Sequence, residues 1–225
     1  NQSGQNPQNS QNTQNTQNEK NFTFFSYQEI KKFSENLSKN LIKCSFCPSL
    51  EFEEEKKPYK FLGLFAKNCV EWIISDLACQ MNSITSVTFY STLGDQAFEY
   101  ISNQTNLSTI CLTNENVDIF LKYIDTFSIK NIKNLIAFDL TLFFSEENLE
   151  KLKAKNFNVI SFKELITYEQ NMEKINLNFS TADTICTICY TSGTTGTPKG
   201  VKLTQNNLIS QLENMKDSEL FLTER

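Results

Sequence analysis

The stretch Tyr190–Gly200, YTSGTTGTPKG, sets three glycines, four threonines, a serine, a proline and a lysine directly after the apolar run TICTIC. Gly193, Gly196 and Gly200 carry no Cβ, so backbone N–H groups can close on an anion there. Thr191, Ser192, Thr194, Thr195 and Thr197 add hydroxyls that donate to oxygen or turn a lone pair toward a metal ion. Lys199 adds a full positive charge on a flexible stem, and Pro198 stiffens the chain just before it. This composition suits a polyphosphate. The spacing excludes two commoner phosphate loops. Gly196 is followed by Thr-Pro-Lys rather than Lys-Ser/Thr, and the glycines do not fall as G-x-G-x-x-G. A generic Gly/Ser/Thr stretch would read as a solvent-exposed turn; this order at the end of a buried strand does not.

The elements that must hold such a loop alternate along the chain. Ser26 and Glu29 form a capping-box pattern, with Tyr27, Ile30, Phe33, Leu37 and Leu41 at helical spacing behind it. Lys60–Ala66 reads as a buried strand, and Asn68 with Glu71 opens a helix whose apolar face is Val70, Ile73, Ile74, Leu77 and Met81. Further strands are predicted at Ile84–Phe89, Ser108–Thr113, Asn134–Phe138, Asn158–Phe162 and Thr184–Tyr190. Between and after them, Asp95–Gln104, Val117–Phe127, Glu146–Lys155 and Asn206–Met215 read as helices. Alternation of this kind predicts an α/β fold, a mostly parallel sheet covered on both faces. Ligands of such sheets gather at the carboxyl ends of the strands, where the Thr191–Gly200 loop begins.

Residues 1–21 stand apart. Twelve of the first eighteen are Asn or Gln in a near-tripeptide repeat, which reads as a disordered polar tail. In the 225 residues, hydrophobic content is 39% with 19 Phe, enough for a core, and the net charge of −5 argues against nucleic acid as a partner. Seven cysteines at irregular spacing suggest reduced thiols in an intracellular protein. There is no basic-then-apolar leader and no run of transmembrane length. The chain does not begin with Met and reads as part of something longer.

The string TSGTTGTPKG resembles the phosphate-binding signature of the AMP-forming, adenylate-forming enzymes. KFLGLFAKNCVEWIISDLACQ, FYSTLGDQAFEYISNQT and DTICTICYTSGTTGTPKGVKLTQNNL narrow the resemblance to eukaryotic long-chain fatty-acid–CoA ligases. It implies that residues 22–225 form part of the large N-terminal AMP-binding domain, truncated at the C-terminus. It also implies a two-step reaction. ATP and a fatty acid form an acyl-adenylate and pyrophosphate with Mg²⁺, and coenzyme A then displaces AMP to give the thioester. Thr191–Gly200 would cradle the departing phosphates, with Lys199 as electrostatic clamp and Thr191 as a candidate Mg²⁺ contact. The substrate class would place the protein in the cytoplasm or on the cytoplasmic face of a membrane such as the endoplasmic reticulum, in peripheral contact with it.

The family usually has Thr-His-x-Asn after the loop, where this chain has Thr204-Gln-Asn-Asn207. No histidine occurs anywhere in it, so a Ser/His or Cys/His catalytic pair is ruled out within these residues. The family's later glutamate, aspartate and lysine motifs are expected beyond Arg225, and with them the catalytic residues. The piece alone is therefore expected to be inactive. Two other readings remain open at this level, a ligase for a different carboxylic acid and a non-catalytic nucleotide-binding product. Two CxxC pairs, Cys44/Cys47 and Cys186/Cys189, invite a zinc reading. A strand sends Cys186 and Cys189 to opposite faces, which argues against it. Trp72 reads as core and Glu51–Glu55 as a solvated loop.

Overall fold

A computed structural model describes residues 23–55, 57–90, 94–169, 174–192 and 197–216. The Asn/Gln-rich tail lies outside the described residues.

The first helix, α1 (Tyr27–Lys43), opens with the expected capping box, in which Ser26 Oγ accepts from Glu29 N–H and the Glu29 carboxylate accepts from Ser26 N–H. Then follow β1 (Phe61–Phe65), α2 (Val70–Gln80), β2 (Thr85–Thr88), α3 (Asp95–Gln104), β3 (Thr109–Leu112), a 3-10 turn at Asn114–Asn116 and α4 (Val117–Thr126). After these come β4 (Asn134–Ala137), α5 (Glu146–Ala154), β5 (Asn158–Ser161), α6 (Phe162–Thr167), β6 (Ile185–Ser192), β7 (Pro198–Thr204) and α7 (Gln205–Lys216). The strands form one sheet in the order β5-β4-β3-β1-β2-β6-β7, parallel throughout except for the antiparallel β6–β7 pair.

Four helix ends are made the same way. Ser45, Ser83, Asn106 and Asn156 have φ of 53°, 48°, 47° and 63°, the left-handed conformation that stops a helix. The apolar residue after each (Phe46, Ile84, Leu107, Phe157) donates its N–H to the carbonyl five residues back. After α2, α3 and α5 the next strand begins two or three residues beyond the left-handed residue.

The strand β1 divides its side chains between two cores. Phe61 and Phe65 of β1 join Phe98, Ile101, Phe120 and Leu152 under α3, α4 and α5. Leu62 and Leu64 join Leu37, Leu41, Ile74, Ala78 and Phe162 under α1, α2 and α6. Gly63 lies on the first face, where a Cβ would stand 2.7 Å from Leu107 Cδ2 and 2.9 Å from Ile110 Cγ1. The central strand uses a glycine because that space is already filled.

Several expectations need correction. The buried stripe of α2 is Glu71, Ile74, Ser75, Ala78 and Cys79, while Ile73 is 53% exposed. The helix is rotated by about one residue (100°) from the apolar stripe, which lets small side chains meet its neighbours. Tyr27, placed on the apolar face of α1, is exposed. The polar connection after β5 contains α6, whose carbonyls at Leu165 and Ile166 accept from Asn40 Nδ2 (2.6 Å) and Asn36 Nδ2 (2.7 Å) of α1. Glu55 is not merely solvated, since it pairs with Lys202 and accepts from the Tyr59 hydroxyl.

Candidate functional site

The phosphate-type string is half strand. β6 runs two residues past the expected boundary, through Thr191 and Ser192, and the chain returns as β7 from Pro198. In the antiparallel register Ser192 faces Pro198, Thr191 faces Lys199 and Tyr190 faces Gly200. Gly193, Thr194, Thr195 and Gly196 lie outside the described residues, as does the side chain of Ser192. Of the ten residues expected to cradle phosphate, the structure therefore brings together Thr191, Thr197, Pro198, Lys199 and Gly200.

Thr191 and Lys199 are directly opposed, so both side chains leave the same face of the hairpin. Thr191, Thr197 and Lys199 are exposed. The two lysines of the stretch differ in availability. Lys202, two residues beyond Gly200 and on the opposite face of β7 from Lys199, is held by Glu55 and by the Tyr59 ring 5.5 Å away. Lys199 makes no ion pair with any described residue. Its charge is free to meet an anion at the carboxyl end of β6, the end where open α/β sheets take ligands.

Buried groups fix the hairpin from below. Tyr190 donates from its hydroxyl to Gln104 Oε1 at 2.8 Å. Burial, with Tyr100 nearby, pushes the Tyr190 phenol up to about 12. A Cβ on Gly200 would stand 3.0 Å from Ile188 and 3.1 Å from the Tyr190 ring, so the glycine allows that ring to lie across β7. Phe52, Tyr59, Phe61, Thr105 and Lys202 close a cavity of 470 Å³ on this side of the hairpin. A second, of 520 Å³, opens at the carboxyl ends of β1 and β2 between Lys67, Asn68, Tyr90 and Asn116. The Tyr90 hydroxyl accepts from Thr88 Oγ1 at 3.1 Å, and burial raises its phenol as well. Composition gave no sign of Tyr90, Gln104 or Tyr59, because each reaches the site by folding.

Cys186 is buried and donates to Leu203 O at 3.1 Å, whereas Cys189 is only half-buried. Among the described residues no group of three His, Cys, Asp or Glu side chains could hold a metal ion, and all seven thiols are free. Trp72 is half-buried against the core under α1 and α2. No described helix is long and apolar enough to cross a membrane.

Residues 18–224 match the family of AMP-binding enzymes. Among curated proteins, long-chain-fatty-acid–CoA ligase 5 of Rattus norvegicus is 28% identical over 195 residues, 85% of this chain and 26% of that protein. Fatty acyl-CoA synthetase A of Dictyostelium discoideum is 32% identical over 157 residues, 67% of this chain and 22% of that protein. The chain thus spans about a quarter of the length of these relatives. Among solved structures, the A domain of carboxylic acid reductase from Segniliparus rugosus, in complex with AMP and a co-purified carboxylic acid, superposes with a TM-score of 0.68. That match has 19% identity and covers 84% of this chain and 30% of the other. A red-emitting luciferase from Phrixothrix hirtus gives 0.65 at 15% identity, covering 87% and 42%. Fold and sequence agree, and the chain belongs to the AMP-binding enzymes, with long-chain fatty-acid–CoA ligases among its relatives.

Proposed function

We propose that the protein carrying this chain activates a long-chain fatty acid with ATP and passes the acyl group to coenzyme A. The observation that carries the reading is the opposed Thr191–Lys199 pair at the carboxyl end of β6, with Lys199 unpaired among the described residues. The names of the curated relatives support a long-chain substrate.

On this reading the fatty-acid carboxylate attacks the α-phosphorus of ATP and the bond to the β-phosphate oxygen breaks. Negative charge grows on the departing pyrophosphate, where the Lys199 ammonium and the hydroxyls of Thr191 and Thr197 lie in wait. Such preformed donors act without reorganising during the reaction, and losing one costs roughly 10²–10³ in rate. The exposed Thr191 hydroxyl would supply one oxygen ligand to Mg²⁺, an ion that keeps several waters and binds largely through substrate phosphates. When bound, that ion would neutralise phosphate charge. Acidic ligands for it are not gathered among the described residues.

The test is fatty-acid-dependent ATP–pyrophosphate exchange by the full-length chain, compared across long, short and aromatic acids. Lys199→Ala should lower exchange by about 10²-fold or more. Unchanged exchange would remove the phosphate role from Lys199, and exchange driven only by a short or aromatic acid would reassign the substrate.

A further inference from the structure

We infer that Asp76, Gln80 and Gln205 form a polarised hydrogen-bond chain that sets the pose of the β6–β7 hairpin, making Gln205 a positioning residue for Lys199. The inference rests on the phosphate reading of Lys199. Gln205 is the first residue of α7, immediately after β7.

The chain begins at a carboxylate. Asp76 of α2 accepts from Ser86 Oγ at 2.8 Å and from Gln80 Nε2 at 3.0 Å. Gln80 Oε1 then accepts from Gln205 Nε2 at 3.1 Å. The backbone clamps the same corner. Ser180 N–H donates to Gln80 O, Gln205 N–H to Thr184 O and Asn206 N–H to Ala182 O, at 2.9, 2.9 and 3.0 Å.

An ionised carboxylate only accepts, whereas a primary amide donates at one end and accepts at the other. Asp76 therefore turns the Gln80 amino group toward itself and leaves the Gln80 carbonyl facing Gln205. Gln205 must in turn present its amino group. The remaining end of the chain, Gln205 Oε1, is buried without a partner among the described residues. That cost is accepted at the far end because the direction is imposed at the near end.

The consequence reaches the loop. Six residues separate Gln205 from Lys199, and at about 3.4 Å per residue the lysine lies about 20 Å from the anchor. A small tilt at the base becomes a larger displacement of the charge at the tip.

The test reverses the polarity. Gln205→Glu keeps the shape of the side chain but, at about pH 8, sets an acceptor against the Gln80 carbonyl. Gln80 cannot turn over, because its carbonyl would then face Asp76. In the full-length chain, Gln205→Glu should raise the KM for ATP about tenfold and speed backbone amide exchange across residues 184–204. Asp76→Asn alone should be mild, since the new amino group can donate to Ser86 Oγ while its carbonyl still accepts from Gln80. The double variant Asp76→Asn/Gln205→Glu can reverse every bond in the chain, and both KM and exchange should return to within about twofold of the parent.

A parent-like KM and exchange in Gln205→Glu would overturn the inference. So would failure of the double variant to recover, an outcome that decides the matter even if the single variant does not fold. Lys199→Ala separates the two claims. If it leaves the KM for ATP unchanged while exchange still follows the reversal pattern, the phosphate reading falls and the hydrogen-bond chain stands.

Discussion

Tyr190 is fixed to Gln104 by a 2.8 Å hydrogen bond that crosses from β6 to the last residue of α3. The bond holds the residue just before Thr191, so the start of the phosphate-type loop is tied to a helix 86 positions earlier. Tyr190→Phe removes the bond and leaves Gln104 Oε1 without it, at a cost of about 1 kcal/mol. The expected result is a lower urea midpoint at unchanged slope. An unshifted midpoint would show that the bond contributes nothing to stability.

The same phenol links stability to alkaline pH. Its folded value is raised from 10.0 to about 12. A raised acid holds its proton longer in the folded chain than in the unfolded one. Stability from this group is therefore complete below pH 10 and is lost as pH rises from there through about 12. The difference in midpoint between the parent and Tyr190→Phe should shrink across that interval. A difference independent of pH would contradict the assignment.

Asp76 carries the opposite kind of test, at acid pH. Burial raises its carboxyl above 3.8, against the lowering effect of hydrogen bonds from Ser86 and Gln80, and the thiols of Cys79 and Cys186 lie nearby. The folded chain then binds the proton more tightly than the unfolded one. Stability falls as pH climbs from 3.8 through the raised folded value, after which the penalty is complete. Asp76→Asn removes that slope, so the variant should gain on the parent as pH rises from acid to neutral. Parallel pH–stability curves would sink the claim.

Gly63→Ala probes the central strand. The added Cβ would meet Leu107 Cδ2 at 2.7 Å and Ile110 Cγ1 at 2.9 Å, and both side chains are fully buried. Overpacking of this kind costs about 1–3 kcal/mol, and the upper end is expected here. Thermal unfolding would measure it, and a Tm within a degree or so of the parent would refute it.

Asn36 and Asn40 satisfy two carbonyls in the last turn of α6 that no helical N–H can reach. Replacing either by alanine should cost about 1–3 kcal/mol by stranding a buried acceptor. Hydrogen exchange in residues 162–168 should rise more than in α4. Uniform change across both helices would mean that the asparagines act on the whole fold rather than on α6.

The parallel part of the sheet was legible because its strands are short apolar runs between helices at regular spacing. β7 was not. Its side chains are mostly exposed, so no alternation marks it, and only its pairing with β6 makes it a strand. The rotation of α2 was hidden for a related reason, since Glu71, Ser75, Ala78 and Cys79 surround Ile74 as the one large apolar residue of its buried stripe. The loop string pointed outright to the family that the chain matches. Its supports did not, because Tyr190 meets Gln104 and Gln205 meets Gln80 only across 86 and 125 residues of chain.

The sheet order also bears on synthesis at the ribosome. Five strands, β5-β4-β3-β1-β2, are complete once Ser161 has emerged, and β6 must then dock on the outer edge of β2. At about 5–20 residues per second, that edge waits for a second or more with its amides and carbonyls unpaired. The nascent chain thus assembles this five-stranded scaffold before the β6–β7 hairpin docks on it. A slow passage through residues 162–184 would prolong the interval in which a neighbouring chain could pair with β2 instead.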